Sequence, residues 1–309
     1  MWHGIIIMKQ FNPEDYRIFE CLTGSKLYGT DTPASDEDFR GICIPPMEVL
    51  LDPFMNFEQK NSGFEEEDRT IYDLGKFMKL CADANPNILE LLFCPEKNII
   101  YKTSVWDKII ENKSLFLSKK IKHTFLGYSW AQINKTKLHR QWFLDPPKRK
   151  PTREDFGLTD SPILSGDNLK NSLNMPSKIF NEKYRDEIFR EKEYYLEKKK
   201  WDNYISWFKN RNPKRRKLEE HFGYDTKYIM HVFRLLEEGK QLLIDGRIIF
   251  PLHNADELLE IRNGKYSYEE AISKALVLEN NFESIYNEST LPHSSNKKEL
   301  LKLYLDIVK

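Results

Sequence analysis

Three short strand-like runs stand out in the first quarter of the chain. They occupy residues 17–24, 36–44 and 68–72, and turn-forming or acidic residues bound each run. Runs of this length between turn signals predict β-strands. From Leu74 onward the apolar spacing becomes helical, and Pro86 suits the first turn of a second helix. The pattern predicts a small sheet followed by helices.

The remainder of the chain has mainly helical spacing. Helices are predicted within residues 104–144 and 181–245 and from residue 255 to the C-terminus, while residues 246–251 are expected to be extended. The segment 145–180 interrupts this pattern with five prolines, which predicts a long surface loop or lid. The expected fold class is α+β, with a small mixed-sheet domain at residues 1–103 and a larger, mainly helical domain at residues 104–309.

Composition narrows the class of protein. Apolar residues make up 40% of the chain and charged residues 31%, which is typical of a globular protein. No run of about 18 apolar residues predicts a membrane span, and the short apolar run at residues 4–8 does not suggest a secretory signal. The four cysteines form no CxxC pair, so reduced thiols, no structural zinc and a cytoplasmic location are expected.

The segment from residue 24 to residue 41 carries the candidate chemistry. Gly24-Ser25 follows a predicted strand, and a turn without bulky side chains lets backbone amides approach phosphate groups. Asp36 and Asp38 are two residues apart on the next predicted strand, so their side chains project to one face. Two carboxylates on one face suit two Mg²⁺ or Mn²⁺ ions rather than zinc.

A third carboxylate from a neighbouring strand would complete such a site. Asp68 is the first choice because it opens the strand at residues 68–72. Asp73 is the alternative, although its position at a helix start makes it an equally good N-cap. The predicted catalytic and metal-binding set is therefore Asp36, Asp38 and Asp68.

These motifs resemble the nucleotidyltransferase signature of the DNA polymerase beta superfamily. Gly-Ser-x-x-Tyr-Gly-Thr followed by Ser-Asp-x-Asp-x-Arg-Gly is similar, more narrowly, to the RNA repair pathway (RlaP-like) branch found in phages and bacteria. The resemblance implies a mixed-sheet catalytic domain, a nucleoside triphosphate as donor and two divalent cations. It also implies the roles given above for Gly24, Ser25, Asp36 and Asp38, and Tyr28 of the same motif is counted among the nucleotide-binding residues.

Several basic residues are further candidates for nucleotide contact, each with a structural alternative. Arg40 lies on the same strand face as Asp38 and either contacts phosphate or pairs with that aspartate. The others could neutralise or contact the triphosphate, or else lie on a solvated or salt-bridged helix face; they are Lys76, Lys119, His123, Lys227 and His231.

One stretch is both basic and aromatic. Residues 198–217 combine lysines and arginines with Trp201, Tyr204, Trp207 and Phe208, a composition that suits stacking and charge contact with single-stranded nucleic acid. The alternative is an amphipathic helix with aromatic core residues and solvated lysines. The candidate contacts are Lys209, Arg211, Lys214, Arg215 and Arg216.

The function expected from the sequence is transfer of a nucleoside monophosphate from a triphosphate to a hydroxyl group, on RNA or tRNA. Transfer to a protein side chain or a small molecule is the alternative within enzymes. A non-catalytic nucleic-acid-binding relative is the alternative outside them, although two carboxylates on one face serve no evident purpose in such a binder.

Overall fold

The computed structural model describes residues 11–62, 67–161 and 182–309, with the side chains of residues 182–184 excepted. The apolar run at residues 4–8 and the portion 162–180 of the predicted loop lie outside these residues. Among the described residues, none of the helices is long and apolar enough to cross a membrane.

One mixed sheet of five strands organises the N-terminal region. Its strands lie in the order β3-β4-β2-β1-β5. The pairing of β2 with β4 is parallel, and the other three pairings are antiparallel. The strands span β1 Arg17–Leu22, β2 Glu37–Cys43, β3 Gln59–Ser62, β4 Glu67–Asp73 and β5 Ile99–Lys102.

Helices make up most of the described chain. Near the sheet are α1 Gly24–Tyr28, α2 Met47–Leu50, α3 Leu74–Ala82, α4 Pro86–Leu89 and α5 Ser104–Glu111. Longer helices follow, namely α6 Lys120–Leu144, α7 Glu182–Asn210, α8 Pro213–Phe222 and α9 Thr226–Asp245. The C-terminal helices are α10 Ala255–Arg262, α11 Tyr268–Asn280, α12 Phe282–Glu288 and α13 Lys297–Val308.

The α+β class predicted from the sequence is confirmed, and the three predicted strands correspond to β1, β2 and β4. Some elements differ from the prediction. Gly24 begins a short helix rather than a simple turn, and the edge strands β3 and β5 were not predicted. Residues 246–251, expected to be extended, contain no strand. Both edge strands have four residues and mostly exposed side chains, so they lack an apolar pattern.

The chain divides into two compact units. Unit 1 contains residues 1–135 and 226–309, and unit 2 contains residues 136–225. The sheet therefore shares a unit with the C-terminal helices. The boundary near residue 103, predicted as a division by function, stays a prediction.

The core of unit 1 is aromatic next to the sheet. The rings of Phe19 on β1 and Trp106 on α5 stack with their centroids 3.8 Å apart, and Phe77 on α3 packs against Trp106 at 5.7 Å. All three side chains are buried. Burial of large aromatic groups supplies much apolar area from few residues, so these contacts fix α3 and α5 on one face of the sheet.

A buried ionic network lies in the same unit. Arg234 on α9 donates hydrogen bonds to Glu238, at 3.0 Å and 3.1 Å, and to Glu90, at 3.2 Å. The Tyr28 hydroxyl donates to Glu90 at 2.9 Å, and the Arg234 guanidinium lies 4.3 Å from the centre of the Tyr28 ring. All four side chains are buried. Two carboxyl groups share one guanidinium, and burial raises the pKa of Glu90 to about 8 even though Arg234 opposes the rise.

This pKa predicts how stability depends on pH. Between the ordinary pKa of 4.5 and about 8, the folded protein holds a proton on Glu90 that the unfolded chain releases. The free energy of unfolding therefore contains a contribution that is present below about pH 4.5 and is lost as pH rises towards 8. We expect Glu90→Gln to remove this loss, so that its stability relative to wild type increases across that window in urea denaturation.

The exposed Glu111 provides a matched substitution. Glu111→Gln should follow the pH dependence of the wild-type protein. If the stability difference between Glu90→Gln and wild type were constant from pH 4.5 to 8, the proton on Glu90 would be ruled out.

Candidate active site

The carboxylate of Asp38 lies directly against the backbone of Gly24. A methyl group at Gly24 would be 2.9 Å from Cγ of Asp38 and closer still to its Oδ2. Gly24 also has a φ of +62°, a conformation that favours glycine. The residue before it, Thr23, donates hydrogen bonds from its backbone amide and its hydroxyl to the Asp38 carbonyl, at 2.7 Å and 3.0 Å. The glycine turn and the Asp38 carboxylate thus lie against each other.

The parallel pairing of β2 and β4 places a second carboxylate beside the first. Asp38 and Asp68 are direct partners in this register, so their side chains leave the same face of the sheet. Asp36 lies one residue before β2 and is exposed. The three predicted carboxylates therefore belong to one corner of the sheet, next to α1.

The charges around Asp38 oppose one another. Burial raises the pKa of the Asp38 carboxyl group, and the Arg40 guanidinium opposes this rise. The Asp68 and Asp36 carboxylates raise the pKa further, and the Lys227 ammonium on α9 lowers it. A half-buried carboxylate near two other acids is stabilised by any added cation. The site therefore favours a positively charged ligand.

Arg40 holds the third carboxylate. Its Nη2 donates to Oδ2 of Asp68 at 3.2 Å, and its Nη1 donates to the Asp68 carbonyl at 3.1 Å. Its ion-pair partner is therefore Asp68 rather than Asp38, and the alternative of contact with phosphate stays a prediction. Within residues 11–62, 67–161 and 182–309, no three His, Cys, Asp or Glu side chains are gathered closely enough to hold a metal ion.

The donor set nevertheless suits a divalent cation. The candidate ligands are carboxylate oxygens, which Mg²⁺ and Mn²⁺ prefer, and the missing side chain at Gly24 leaves Asp38 room beside the backbone. For Asp68 to bind the same ion, its oxygen would have to exchange Arg40 for the cation. The chemistry of these donors thus fits a divalent cation.

Two candidates for this region lie elsewhere. Asp73 is opposite Cys43, five residues along β4 from Asp68, and caps α3 by accepting a hydrogen bond from the Lys76 amide at 2.9 Å. Its position corresponds to the N-cap alternative. The Lys76 ammonium pairs with Glu58 at 2.7 Å, so it lies on a salt-bridged surface.

The remaining candidates of unit 1 lie at several places in the fold. Lys227 and His231 lie on α9, and Lys227 is close enough to act on Asp38. Tyr28, counted as a nucleotide contact, is buried against Glu90 and Arg234 instead.

Lys119 and His123 both lie next to the ring of Tyr286. The Lys119 ammonium is 5.1 Å from the centre of that ring, and the centres of the His123 and Tyr286 rings are 5.9 Å apart. No described contact joins that pair to the carboxylates, and its nucleotide role stays a prediction. Ser25 lies on α1, where its carbonyl accepts hydrogen bonds from the amides of Gly29 and Thr30.

In unit 2 the three arginines of the basic run pair with acids that follow it in the chain. Arg215 pairs with Asp225 at 2.8 Å and Arg216 pairs with Glu220 at 2.7 Å. Arg211 binds Glu219 and lies 4.7 Å from the Trp207 ring centre.

The aromatic residues of this run mostly pack together. Trp207 lies 5.4 Å from Trp142 and 6.0 Å from Tyr204. These contacts agree with the alternative of an amphipathic helix. The side chains of Lys209 and Lys214 are exposed.

Thr23 is the residue of this site that sequence reasoning missed. Threonine before a glycine turn is common, and only the pairing of its amide and hydroxyl with the Asp38 carbonyl reveals its role. No local signal predicts that a backbone carbonyl fifteen residues later will be its acceptor.

Comparison with known proteins supports the resemblance inferred from the motifs. Residues 9–144 match the family model RlaP, described as RNA repair pathway DNA polymerase beta family. The chain is also 25% identical over 288 residues to the "uncharacterized 38.9 kDa protein in nrdC-mobD intergenic region" of Enterobacteria phage T4. That alignment covers 81% of this chain and 84% of the phage protein. No solved structure matches the chain. The predicted family resemblance is confirmed.

The contact between Gly24 and Asp38 can be tested by a stability measurement. Alanine at a positive φ costs about 1 kcal/mol, and at Gly24 the new methyl group would also collide with Asp38. Gly246 has nearly the same φ, +64°, but a methyl group there meets only Cδ1 of Leu117 at an ordinary 3.8 Å. We expect Gly24→Ala to lose clearly more free energy of unfolding in urea than Gly246→Ala. Equal losses would contradict the close approach of Asp38.

Proposed function

Because residues 9–144 match a polymerase-beta-type family, we propose that this protein transfers a nucleoside monophosphate from a triphosphate to a hydroxyl group, with RNA as the acceptor. The observation that carries the proposal is the position of the Asp38 carboxylate against the Gly24 backbone, beside its strand partner Asp68. A phosphate-binding turn and paired carboxylates are what this reaction requires in one place.

Each residue of the site has a role in this proposal. The backbone at Gly24 and Ser25 binds the triphosphate, and Asp36, Asp38 and Asp68 hold divalent cations. When bound, Mg²⁺ or Mn²⁺ would neutralise the triphosphate and favour ionisation of the attacking hydroxyl. Arg40 and Lys227 lie near Asp38 and supply positive charge for the phosphates. When a cation replaces Arg40 at Asp68, the guanidinium becomes available to a phosphate oxygen.

The acceptor is the least constrained part of the proposal. RNA is favoured by the family description and by the exposed lysines of unit 2. A protein side chain or a small molecule is the alternative acceptor, and the chemistry at the phosphates would be the same. The two classes of acceptor are separated by where a labelled nucleotide is found.

Loss of a carboxylate should abolish the reaction. Purified protein is incubated with α-³²P-labelled nucleoside triphosphates, Mg²⁺ or Mn²⁺, and total RNA. We expect label on RNA, and we expect Asp38→Asn or Asp36→Asn to reduce the rate by at least about a hundredfold, because the cations and triphosphate lose their ligands.

Asp245→Asn, an exposed aspartate at the end of α9, should keep the full rate. Label that appears only on added cellular protein would favour the alternative acceptor. Label that is unaffected by Asp38→Asn would overturn the assignment of the site.

The exposed lysines of unit 2 should carry charge contacts to RNA. Arg215 is unsuitable for this test because its removal would leave the buried Asp225 without its 2.8 Å partner. We expect the double replacement of Lys209 and Lys214 by alanine to weaken RNA binding. It should also reduce the slope of log affinity against log salt by roughly 1.4, about 0.7 for each phosphate contact to a single strand. The change is measured by fluorescence anisotropy with a labelled oligonucleotide.

Lys298 on α13 is exposed and serves as the control. Lys298→Ala should retain the wild-type slope. An unchanged slope in the double variant would remove these two lysines from the RNA-binding surface.

A further inference from the structure

Two segments flank Asp38, and both lead to the same buried network. Helix α1 begins at Gly24, against the Asp38 carboxylate, and ends at Tyr28. Lys227, whose charge acts on Asp38, lies in the first turn of α9. Arg234 follows seven residues later, two turns along the same helix face. Tyr28 and Arg234 meet at 4.3 Å from guanidinium to ring centre.

We infer that Tyr28, Glu90, Arg234 and Glu238 form a brace that sets the distance between the phosphate-binding turn and helix α9, and that they are positioning residues for the triphosphate. The inference rests on the proposed function, because it assigns the brace to the site at which that reaction occurs. Nothing in the brace touches the reacting atoms.

The short length of α1 makes such a brace necessary. Five residues form a single turn and a half, which has little stability of its own. At its start, α1 is tied to β2 by the hydrogen bonds of Thr23 to the Asp38 carbonyl. At its end, the Tyr28 hydroxyl donates to Glu90, and the Tyr28 carbonyl accepts from the Leu252 amide at 3.1 Å. Release of the second end would free the turn that faces the phosphates.

The charge composition makes the brace rigid. Arg234 donates to Glu90 and to both oxygens of Glu238, and its Nη2 lies 3.4 Å from Oδ1 of Asn87. A guanidinium has a planar set of donors, so these partners fix its orientation. Because Glu90, Arg234 and Glu238 are all buried, water cannot readily replace a lost partner. A displacement of α9 must therefore be transmitted to Glu90 and Tyr28.

The alternative is that the network only stabilises the fold. In that case its variants would lower the melting temperature without a specific effect on the nucleotide. If the network is a brace, substitution of Arg234 should weaken triphosphate binding, and it should do so by displacing α1 and Lys227. A double-mutant cycle measures that dependence directly.

The experiment uses the full chain with Tyr28→Phe and Arg234→Lys, each alone and combined with Lys227→Met. Tyr28→Phe keeps the buried ring, and Arg234→Lys keeps the charge but not the planar fork of donors. We expect each single variant to raise KM for the triphosphate roughly tenfold with a smaller change in kcat, since triphosphate binding is what the brace supports. Combined with Lys227→Met, either should add little to the effect of Lys227→Met alone.

A second readout does not depend on catalysis. Hydrogen exchange, followed by mass spectrometry, reports on the amides of Gly29 and Thr30, which donate to the Ser25 carbonyl. Their protection should fall in Tyr28→Phe and Arg234→Lys, while the amide of Gly223, which donates to Glu219 at 2.9 Å in unit 2, keeps its protection.

Arg153 provides a matched control. It lies in unit 2 between the buried Glu191, at 2.5 Å, and the ring of Tyr194, at 5.4 Å. Arg153→Lys removes the same kind of contact and should leave KM and the exchange of Gly29 and Thr30 unchanged.

The outcomes separate the brace from the proposed function. Unchanged exchange at Gly29 and Thr30 in Arg234→Lys, or fully additive effects with Lys227→Met, would overturn the brace. A wild-type protein that transfers no nucleotide under any condition would overturn the proposed function, and the exchange result would then decide the brace by itself.

Discussion

The closeness of the Asp38 carboxylate to the backbone at Gly24 is the constraint on which the rest of the site depends. Any residue with a Cβ would displace that carboxylate, and a positive φ makes the position unfavourable for other residues as well. The same aspartate accepts hydrogen bonds from Thr23 through its carbonyl and is paired in register with Asp68. Asp38 thus joins β1, α1, β2 and β4 at one point, and a phosphate group that binds the turn must come close to its side chain.

The electrostatics of the site favour a positively charged ligand. Three acids lie near one another, with Arg40 and Lys227 as the basic groups that act on Asp38. Burial and the neighbouring acids disfavour the charged form of the Asp38 carboxyl group, so its ionised state gains most from an added cation. The ion pair of Arg40 with Asp68 lowers the cost of holding these acids together. With one partner 60% exposed, that pair is screened by solvent and contributes little stability of its own.

The sequence predicts the parts of this arrangement that depend on local spacing. The short strand-like segments locate β1, β2 and β4. The i, i+2 spacing predicts that Asp36 and Asp38 share a face, although Asp36 lies one residue before β2. The partnership of Asp38 with Asp68 follows from the parallel register of β2 and β4, which no local pattern encodes. The same limit explains Arg40, whose partner lies 28 residues later. It also explains Tyr28, which is recognisable as part of a motif although its contacts, Glu90 and Arg234, come from distant helices.

Ion pairs also change the interpretation of the basic run in unit 2. The run at residues 198–217 is strongly basic when counted along the chain, but Glu219, Glu220 and Asp225 bind three of its arginines. Those arginines contribute more to the packing of unit 2 than to its external field, because paired charges cancel at distances beyond about 10 Å. With no net charge on the chain, no overall field attracts nucleic acid, so the proposed RNA acceptor would be attracted locally, by exposed lysines such as Lys209 and Lys214. Attraction by such local charges is sensitive to salt.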